Sequence, residues 1–309
     1  MDNIKIQLPE HFLDEEERCR YKVSTDLKKI WAVELDLLKE VIRVCDKYGL
    51  KYYADGGTLL GCLRHKGYIP WDDDIDITMM RADYDKLCAV AAEEFKAPYF
   101  FQTTFTDVDC HFHHAKLRNS STSAVTECDL ERKFNQGIWI DILPLDNIPD
   151  DDDELAEYVK ELTLIQSKLG SFKTYLFNYQ PKRGKGVVPF LRHSLKRLYV
   201  KYIWSKLHTP ESLCLEIDSL MKRYKDRPGK RIANVSMIWY VIPRNLYWRK
   251  EWFDGERFED FEFLKMPVPT MGEKLMEMQY GDWHKMVMGM SCHQPKIFDT
   301  ERPYTEYIK

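Results

Sequence analysis

The chain has 309 residues, of which 31% are charged and 44% hydrophobic, and its formal net charge is −4. This composition is typical of a globular protein with one large domain or two modest ones. A general nucleic-acid binder usually carries a basic excess, so we expect no nucleic acid among the partners.

The N-terminus lacks the basic and apolar regions of a secretory signal, and no stretch approaches the ~20 apolar residues of a membrane span. Eight cysteines are scattered without a Cys-x-x-Cys pair. In this context they indicate reduced, mostly buried thiols. We therefore predict a cytoplasmic protein, with a peripheral position at the inner face of the membrane as an alternative.

The first long element is a predicted amphipathic helix at residues 24–48. Its apolar residues recur every three or four positions. Ser24 or Thr25 is suited to cap its start, and Gly49 is suited to end it.

The rest of the first half alternates between short apolar runs and amphipathic stretches. In chain order we predict a strand at 50–54, a short helix at 58–65 opened by Thr58, a strand at 74–80, a helix at 81–95, and strands at 111–118 and 137–145.

After residue 150 the pattern becomes mainly helical, beginning with a helix at 154–170. The fold class predicted is α+β, with a mixed sheet flanked by helices. We divide the chain into a catalytic core at 1–150 and a helical region at 151–309, with a soft boundary between them. The helical region would complete the active site and face the acceptor or a membrane. A single domain is the alternative.

Four aspartates occupy five positions directly before an apolar run, in "WDDDIDITMM". If a strand begins early enough, Asp72, Asp74 and Asp76 share one face, and Asp73 points away. Carboxylates this close repel one another, but they suit a hard divalent cation such as Mg²⁺. The alternative is an acidic surface turn.

A fifth aspartate, Asp141, interrupts the apolar strand "GIWIDILPL" and shares a face with Trp139 and Leu143. A carboxylate in that position needs a partner, a metal or a raised pKa. We expect it to be the third carboxylate of the cluster, with Asp146 as the weaker candidate.

Upstream of the aspartates, Gly56, Gly57 and Thr58 follow a predicted strand and open a helix. Free backbone N–H groups at such a turn can hold a phosphate. Arg64 and Lys66 lie between this turn and the aspartates, where they could meet phosphate oxygens. The order of these parts is that of the nucleotidyltransferase fold, with a site for metal-assisted phosphoryl transfer.

The block "GGTLLGCLRHKGYIPWDDDIDITMMRADYDKL" resembles the signature of the LicD family of phosphorylcholine transferases, to which fukutin-type ribitol-phosphate transferases are similar. The segments "HHAKLRNSST", "GIWIDILPLDNIPD" and "VPTMGEKLMEMQYGDWHKM" also resemble family segments. Two departures are Asp55, which we expect to be solvated, and the absence of the family's Pro-Pro stretch after Tyr-Gly-Asp.

The resemblance implies a nucleotidyltransferase-like fold and a set of metal ligands. Asp74, Asp76 and Asp141 would hold Mg²⁺, with Mn²⁺ as an alternative, and Asp72 would be an auxiliary catalytic carboxylate. The turn residues would lie on the phosphate side of the donor. Four cations would donate to the diphosphate: Arg64, Lys66, Lys116 and Arg118.

The resemblance also implies a reaction, the transfer of phosphocholine from CDP-choline to a hydroxyl of a cell-surface glycan or glycolipid precursor. Asp141 or Asp72 would accept the hydroxyl proton. The alternatives are ribitol- or glycerol-phosphate transfer from another CDP-alcohol, nucleotidyl transfer to a small molecule or sugar, and a non-catalytic glycan-binding protein.

Aromatic faces hold quaternary ammonium groups well, so Trp71, and after it Trp139, are the candidates for contact with a choline; a role in the core or scaffold is the more frequent alternative. Three histidines, His111, His113 and His114, follow Cys110. Their spacing does not complete a four-ligand zinc site, and we predict that they form a pocket wall.

The segment from Leu162 to Pro210 contains ten Lys or Arg and no Asp or Glu. We slightly favour a solvated helical face packed on the catalytic half. The alternative is peripheral contact of residues 182–206 with an anionic membrane. An apolar stripe would then lie beside the charges: Phe190, Leu191, Leu195, Leu198, Tyr199, Tyr202 and Ile203.

Overall fold

A computed structural model describes residues 3–107, 109–177, 187–289, 295 and 297–308. It confirms the α+β fold with a mixed sheet flanked by helices. The helices are α1 Thr25–Tyr48, α2 Gly56–Leu60, α3 Arg81–Glu94, α4 Asp152–Phe172, α5 Val187–Tyr199, α6 Ser205–Leu207, α7 Pro210–Met221, α8 Ile238–Val241 and α9 Gly272–Tyr280. The strands are β1 Glu16–Arg18, β2 Tyr21–Val23, β3 Tyr53–Ala54, β4 Asp76–Met80, β5 Tyr99–Gln102, β6 Ala115–Asn119, β7 Ser123–Val125, β8 Ile138–Asn147, β9 Arg231–Ala233, β10 Trp248–Arg249, β11 Glu256–Phe261, β12 Leu264–Pro269 and β13 Ile297–Asp299.

Helix α1 begins and ends where its sequence predicts. The Ser24 hydroxyl accepts a hydrogen bond from the Leu27 N–H at 3.2 Å, and Gly49 adopts a left-handed conformation with φ of 61°. The helix packs against β8, and its apolar side is almost wholly buried. Helix α1 therefore covers one face of the sheet at its centre.

The ten-residue strand β8 organises the central sheet. On one side it pairs in parallel with β4, which in turn pairs antiparallel with β3. On the other side its first half pairs with β6, and β5 follows at the edge. Alternate isoleucines in and just before β4, and in β8, are fully buried while the aspartates between them line the site: Ile75, Ile77, Ile140 and Ile142.

The register of three strands places charged residues side by side. Asp76 on β4 is directly opposite Asp141 on β8, and Asp141 is directly opposite Lys116 on β6. We call these three residues the transverse row. They come from strands that lie far apart in the sequence and form one line across the sheet.

The second half of the chain is mainly helical, and it also adds strands to the same sheet. β9 pairs with the end of β8, and β10 pairs with β9. Near the C-terminus, β13 pairs with β7. Residues on both sides of position 150 therefore share hydrogen-bonded structure, and the division at that position stays a prediction.

Two predicted strands begin later in the sequence than expected. The strand expected at 74–80 begins at Asp76, because the preceding residues form a turn in which the Asp72 N–H donates to the Ile69 carbonyl. The strand expected at 111–118 is confined to Ala115–Asn119. Upstream of it, the Phe112 carbonyl accepts a hydrogen bond from the Thr104 hydroxyl. The backbone there is therefore bonded to a side chain and does not pair with a neighbouring strand.

The short helix expected to open at Thr58 begins two residues earlier, and Asp55 caps it. The half-buried Asp55 carboxylate accepts from the Gly56 N–H at 2.9 Å, so Asp55 caps the helix and the expectation that it is simply solvated is wrong. Among the described residues no helix is long and apolar enough to cross a membrane. All seven cysteines described are free thiols.

Candidate active site

Asp141 lies at the centre of the transverse row and is held by three neighbours. Its Oδ1 lies 2.5 Å from Lys116 Nζ and 2.9 Å from His114 Nε2, and its Oδ2 accepts from Trp139 Nε1 at 2.8 Å. Burial alone would raise the pKa of Asp141, but the Lys116 charge and the His114 hydrogen bond hold it well below its usual value. Asp141 is therefore a fixed negative charge.

Asp76, the next residue in the row, has a different environment. Burial and the charges of Asp74 and Asp141 raise the pKa of Asp76 well above its usual value. Its backbone N–H donates to the Thr58 hydroxyl at 2.8 Å, and a Cβ on Gly56 would lie 3.5 Å from its carboxylate. The Gly-Gly-Thr turn and the aspartates are thus in contact, as the sequence predicts.

The remaining aspartates lie in the turn before β4. Oxygen atoms of Asp72, Asp73 and Asp74 lie within 4.8 Å of one another. Asp73 therefore does not point away, because these residues precede the strand and do not follow its alternation. Burial and the charges of Asp74 and Asp73 raise the pKa of Asp72 to about 8. Gly57 permits this arrangement, since a Cβ there would lie 2.7 Å from the Asp72 carboxylate.

A buried glutamate that the sequence analysis did not single out lies below this turn. Glu34 on α1 is 1% exposed and accepts from the Tyr68 hydroxyl at 2.9 Å. Burial and the Asp74 charge raise its pKa well above the usual value. The signal for it was a lone glutamate inside the apolar stretch "IWAVELDLL".

The donor set fits a hard divalent cation. Every side chain that meets here from the turn and from β4 offers carboxylate oxygens, the ligand type that Mg²⁺ prefers. Burial and neighbouring carboxylates raise the pKa values of Asp72 and Asp76, and a bound cation would offset both causes. The choice of Asp74, Asp76 and Asp141 as ligands stays a prediction.

The four predicted diphosphate donors separate into two pairs. Lys116 and Arg118 line the same cavity as the aspartates. Arg64 instead donates to two backbone carbonyls of the segment after Tyr-Gly-Asp, at 2.6 and 3.2 Å. Lys66 is ion-paired with Glu259 at 2.7 Å. The structure brings only the first pair to the carboxylates, and all four roles stay predictions.

The cavity above the transverse row has a volume of about 450 Å³, within the range of ligand sites. Two cationic side chains lie over the Trp139 ring in the wall of this cavity. Lys116 Nζ lies 4.6 Å and Arg118 Cζ lies 5.1 Å from the ring centroid. Trp71 packs edge-on against Tyr21, with 5.9 Å between ring centroids, and does not line this cavity.

The three histidines do not share a strand face. His114 lines the cavity, His113 lines a neighbouring one, and His111 is buried near Arg132, 3.3 Å from its guanidinium. Burial lowers the pKa of His111 to about 4 and that of His113 to about 3. Within the described part of the chain the potential metal-binding cluster is Asp72–Asp74, and no histidine or cysteine joins it.

Asp146, the weaker candidate for third carboxylate, is engaged elsewhere. Arg81 donates to both of its oxygens, at 2.5 and 2.7 Å, and both side chains are buried. This bidentate pair joins the start of α3 to β8, so we assign Asp146 a structural role.

A second cavity, of about 340 Å³, adjoins the first and shares Phe112 and His114 as walls. It lies between α3, α7 and the loop after β5, with Asp85, Asp218 and Lys222 among its polar side chains. Two adjoining cavities give room for two substrates beside one carboxylate cluster.

Residues 49–161, which include the Gly-Gly-Thr turn, β4 and the first residues of α4, match the family model described as "LicD/FKTN/FKRP, nucleotidyltransferase domain". The chain is 24% identical over 265 residues to lipopolysaccharide cholinephosphotransferase LicD of Haemophilus influenzae, covering 84% of this chain and 92% of that protein. Over 43 residues, 14% of this chain and 9% of its relative, it is 42% identical to human ribitol 5-phosphate transferase FKRP. The resemblance to the LicD family is confirmed.

Proposed function

We propose that this chain is a Mg²⁺-dependent phosphotransferase that moves phosphocholine from CDP-choline to a hydroxyl of a glycan or glycolipid precursor, of the lipopolysaccharide or teichoic-acid type, and releases CMP. The observation that carries the proposal is the transverse row with the Asp72–Asp74 turn beside it. The choice of choline follows the long alignment with the Haemophilus influenzae cholinephosphotransferase.

When bound by Asp74, Asp76 and Asp141, Mg²⁺ would neutralise charge on the diphosphate and on the leaving CMP. Lys116 and Arg118 face the same cavity and donate to the diphosphate oxygens. These cations orient the donor through its phosphates, whatever alcohol it carries.

The acceptor hydroxyl enters from the second cavity, past His114. Its oxygen forms a bond to the phosphorus that carries choline while the bond from that phosphorus to the CMP oxygen breaks. The hydroxyl proton passes to the Asp72 carboxylate, since Asp141 stays ionised beside Lys116, and the CMP leaves with the electron pair of the broken bond.

The second candidate is transfer of a polyol phosphate from a CDP-polyol. It is favoured by the similarity to human FKRP and by the cations over the Trp139 ring, which would repel a quaternary ammonium on that side. The carboxylate cluster would serve either donor, so binding must decide between them.

The test is calorimetric titration of CDP-choline, CDP-ribitol, CDP-glycerol and CTP with and without Mg²⁺. Wild type is compared with the double variant Asp74→Ala and Asp76→Ala, and with Asp226→Ala, an exposed aspartate, as control. We expect Mg²⁺-dependent binding of CDP-choline that only the double variant loses. Preference for a CDP-polyol would replace the donor, binding of CTP alone would indicate nucleotidyl transfer, and no metal-dependent binding would refute the proposal.

A further inference from the structure

Residues 187–207 form a helical arm, built from α5, a π-helical turn at Val200–Trp204 and α6. Eight large apolar side chains on this arm are between 47% and 75% exposed. We call them the apolar stripe, and they are Val188, Leu191, Leu195, Leu198, Tyr199, Tyr202, Ile203 and Leu207.

The apolar stripe faces away from the protein. Its members recur mostly at three- and four-residue intervals, which places them along one side of a helix. The side that packs inward is narrow and contains His193 and Val200. A surface helix normally buries its apolar side, so the exposure of the stripe calls for an explanation that a solvated face packed on the catalytic half does not supply by itself.

The charges around the stripe all have one sign. Exposed Arg192, Lys196, Lys201 and Lys206 lie along the arm, and no acidic residue occurs between Leu162 and Pro210. Exposed apolar side chains flanked by Lys and Arg are typical of helices that lie in the plane of a membrane interface. Tyr199 and Tyr202 belong to the amphipathic aromatic class found at that depth.

A second copy of the chain would also cover apolar surface. A twofold contact through the stripe would, however, bring its basic residues against the same residues of the partner copy. An anionic lipid surface satisfies both features together, because it accepts apolar side chains and attracts Lys and Arg. The charge pattern thus favours lipid over self-association.

We propose that the apolar stripe and its flanking basic residues bind the surface of an anionic membrane. The arm lies on the bilayer and does not cross it, in agreement with the absence of a spanning helix from the described residues. The Val200–Trp204 turn packs against the Lys173–Phe177 turn, where Lys173 Nζ donates to the His111 carbonyl at 2.9 Å. The arm is therefore connected to the loop that walls both cavities.

The experiment is co-sedimentation with vesicles of phosphatidylcholine alone or mixed equally with phosphatidylglycerol, at low and high salt. Wild type is compared with the double variant Leu191→Gln and Leu195→Gln, and with Leu215→Gln, an exposed leucine on α7, as control. A second pair compares Lys196→Glu and Lys201→Glu on the arm with Lys39→Glu and Lys96→Glu on exposed positions elsewhere.

We expect binding to anionic vesicles at least tenfold tighter than to phosphatidylcholine, weakened by salt. Each double variant on the arm should lose at least tenfold, and neither control should change. No binding to anionic vesicles, or binding that the arm variants leave intact, overturns the proposal. A dimer in sedimentation velocity that Leu191→Gln and Leu195→Gln dissociate, without vesicle binding, also overturns it in favour of a second copy.

The binding of CDP-choline in solution separates this proposal from that of the catalytic function. The arm variants should keep wild-type donor affinity, because their side chains line neither of the two cavities at the site. Loss of vesicle binding with unchanged donor binding supports a surface role. Loss of donor binding as well would show damage to the fold and would contradict the assignment of the arm as a separate surface.

Discussion

At the centre of the sheet the charged residues lie inside the protein, beside Ile75 and Ile77, whereas on the helical arm they lie outside, beside exposed leucines. In the transverse row, Asp141 is ion-paired with Lys116, whereas burial and the charges of Asp74 and Asp141 raise the pKa of Asp76. On the arm no acidic side chain is present to compensate the cations. Both regions therefore leave charge for a partner, a cation at the sheet and an anionic surface at the arm.

The largest expected effect comes from changing the uncompensated member of the row. Asp76→Asn should lower the transfer rate by at least ~10³-fold, since it removes a ligand oxygen from the metal. The melting temperature should stay constant or rise, because the repulsion with Asp74 is also removed. CMP release and thermal unfolding measure the two quantities.

Asp226→Asn, on the exposed surface, is the control for Asp76→Asn and should change neither quantity. Activity of Asp76→Asn within tenfold of wild type would show that the metal does not depend on this carboxylate.

The next effect concerns a buried carboxylate, Asp146, that a bidentate ion pair holds in place. Arg81→Ala leaves Asp146 buried without its bidentate partner and should lower the free energy of unfolding by ~3 kcal/mol in urea denaturation. Arg223→Ala breaks a bidentate pair with Glu161 on the surface, where two guanidinium nitrogens donate to the carboxylate at 2.6 and 2.7 Å. That control should cost less than ~1 kcal/mol, and equal costs would contradict the role of burial.

A smaller effect is expected from crowding the aspartate turn without removing a charge. Gly57→Ala places a Cβ 2.7 Å from the Asp72 carboxylate and should weaken Mg²⁺-dependent donor binding by about tenfold, or ~1.4 kcal/mol. Gly170→Ala, where a Cβ meets nothing within 4 Å, should leave titration unchanged. Unchanged affinity for Gly57→Ala would mean that Asp72 can move without consequence.

The smallest expected effect is a change in the free energy of unfolding, which should differ between the arm and the core. Leu195→Ala on the apolar stripe should change the free energy of unfolding by less than ~0.5 kcal/mol, because its side chain is 64% exposed. Leu117→Ala, fully buried on β6, should cost ~2–5 kcal/mol. A large loss for Leu195→Ala would indicate that the stripe is packed against protein in solution.

The parts of the fold that the sequence predicts correctly depend on local patterns. The ends of α1 follow from Ser24 and Gly49, and β8 follows from one apolar run. The strand expected at 111–118 begins only at Ala115, because His111 and Phe112 bond to Lys173 and Thr104, which come from other segments. No local pattern could indicate those partners.

In the site, too, contacts between distant segments could not be predicted from local sequence patterns. The sequence predicts Asp76, Asp141 and Lys116 as neighbours of one donor, but the ion pair between Lys116 and Asp141 depends on the pairing of β6 with β8. The contact of His114 with Asp141 depends on it as well. Residue types were therefore predictable and their mutual contacts were not, because register is set by long-range packing.

The alignment of β8 with β4 has a consequence for insertions and deletions. A slide of one residue would bring Ile140 or Ile142 beside Asp76 and turn Asp141 to the other face. On the other side of β8, Gly137 permits the close pairing with β6, since a Cβ there would strike the Asn119 carbonyl of that strand. A single residue inserted at the start of β8 would thus separate Asp141 from Asp76 and Lys116, although every aspartate remained in the sequence.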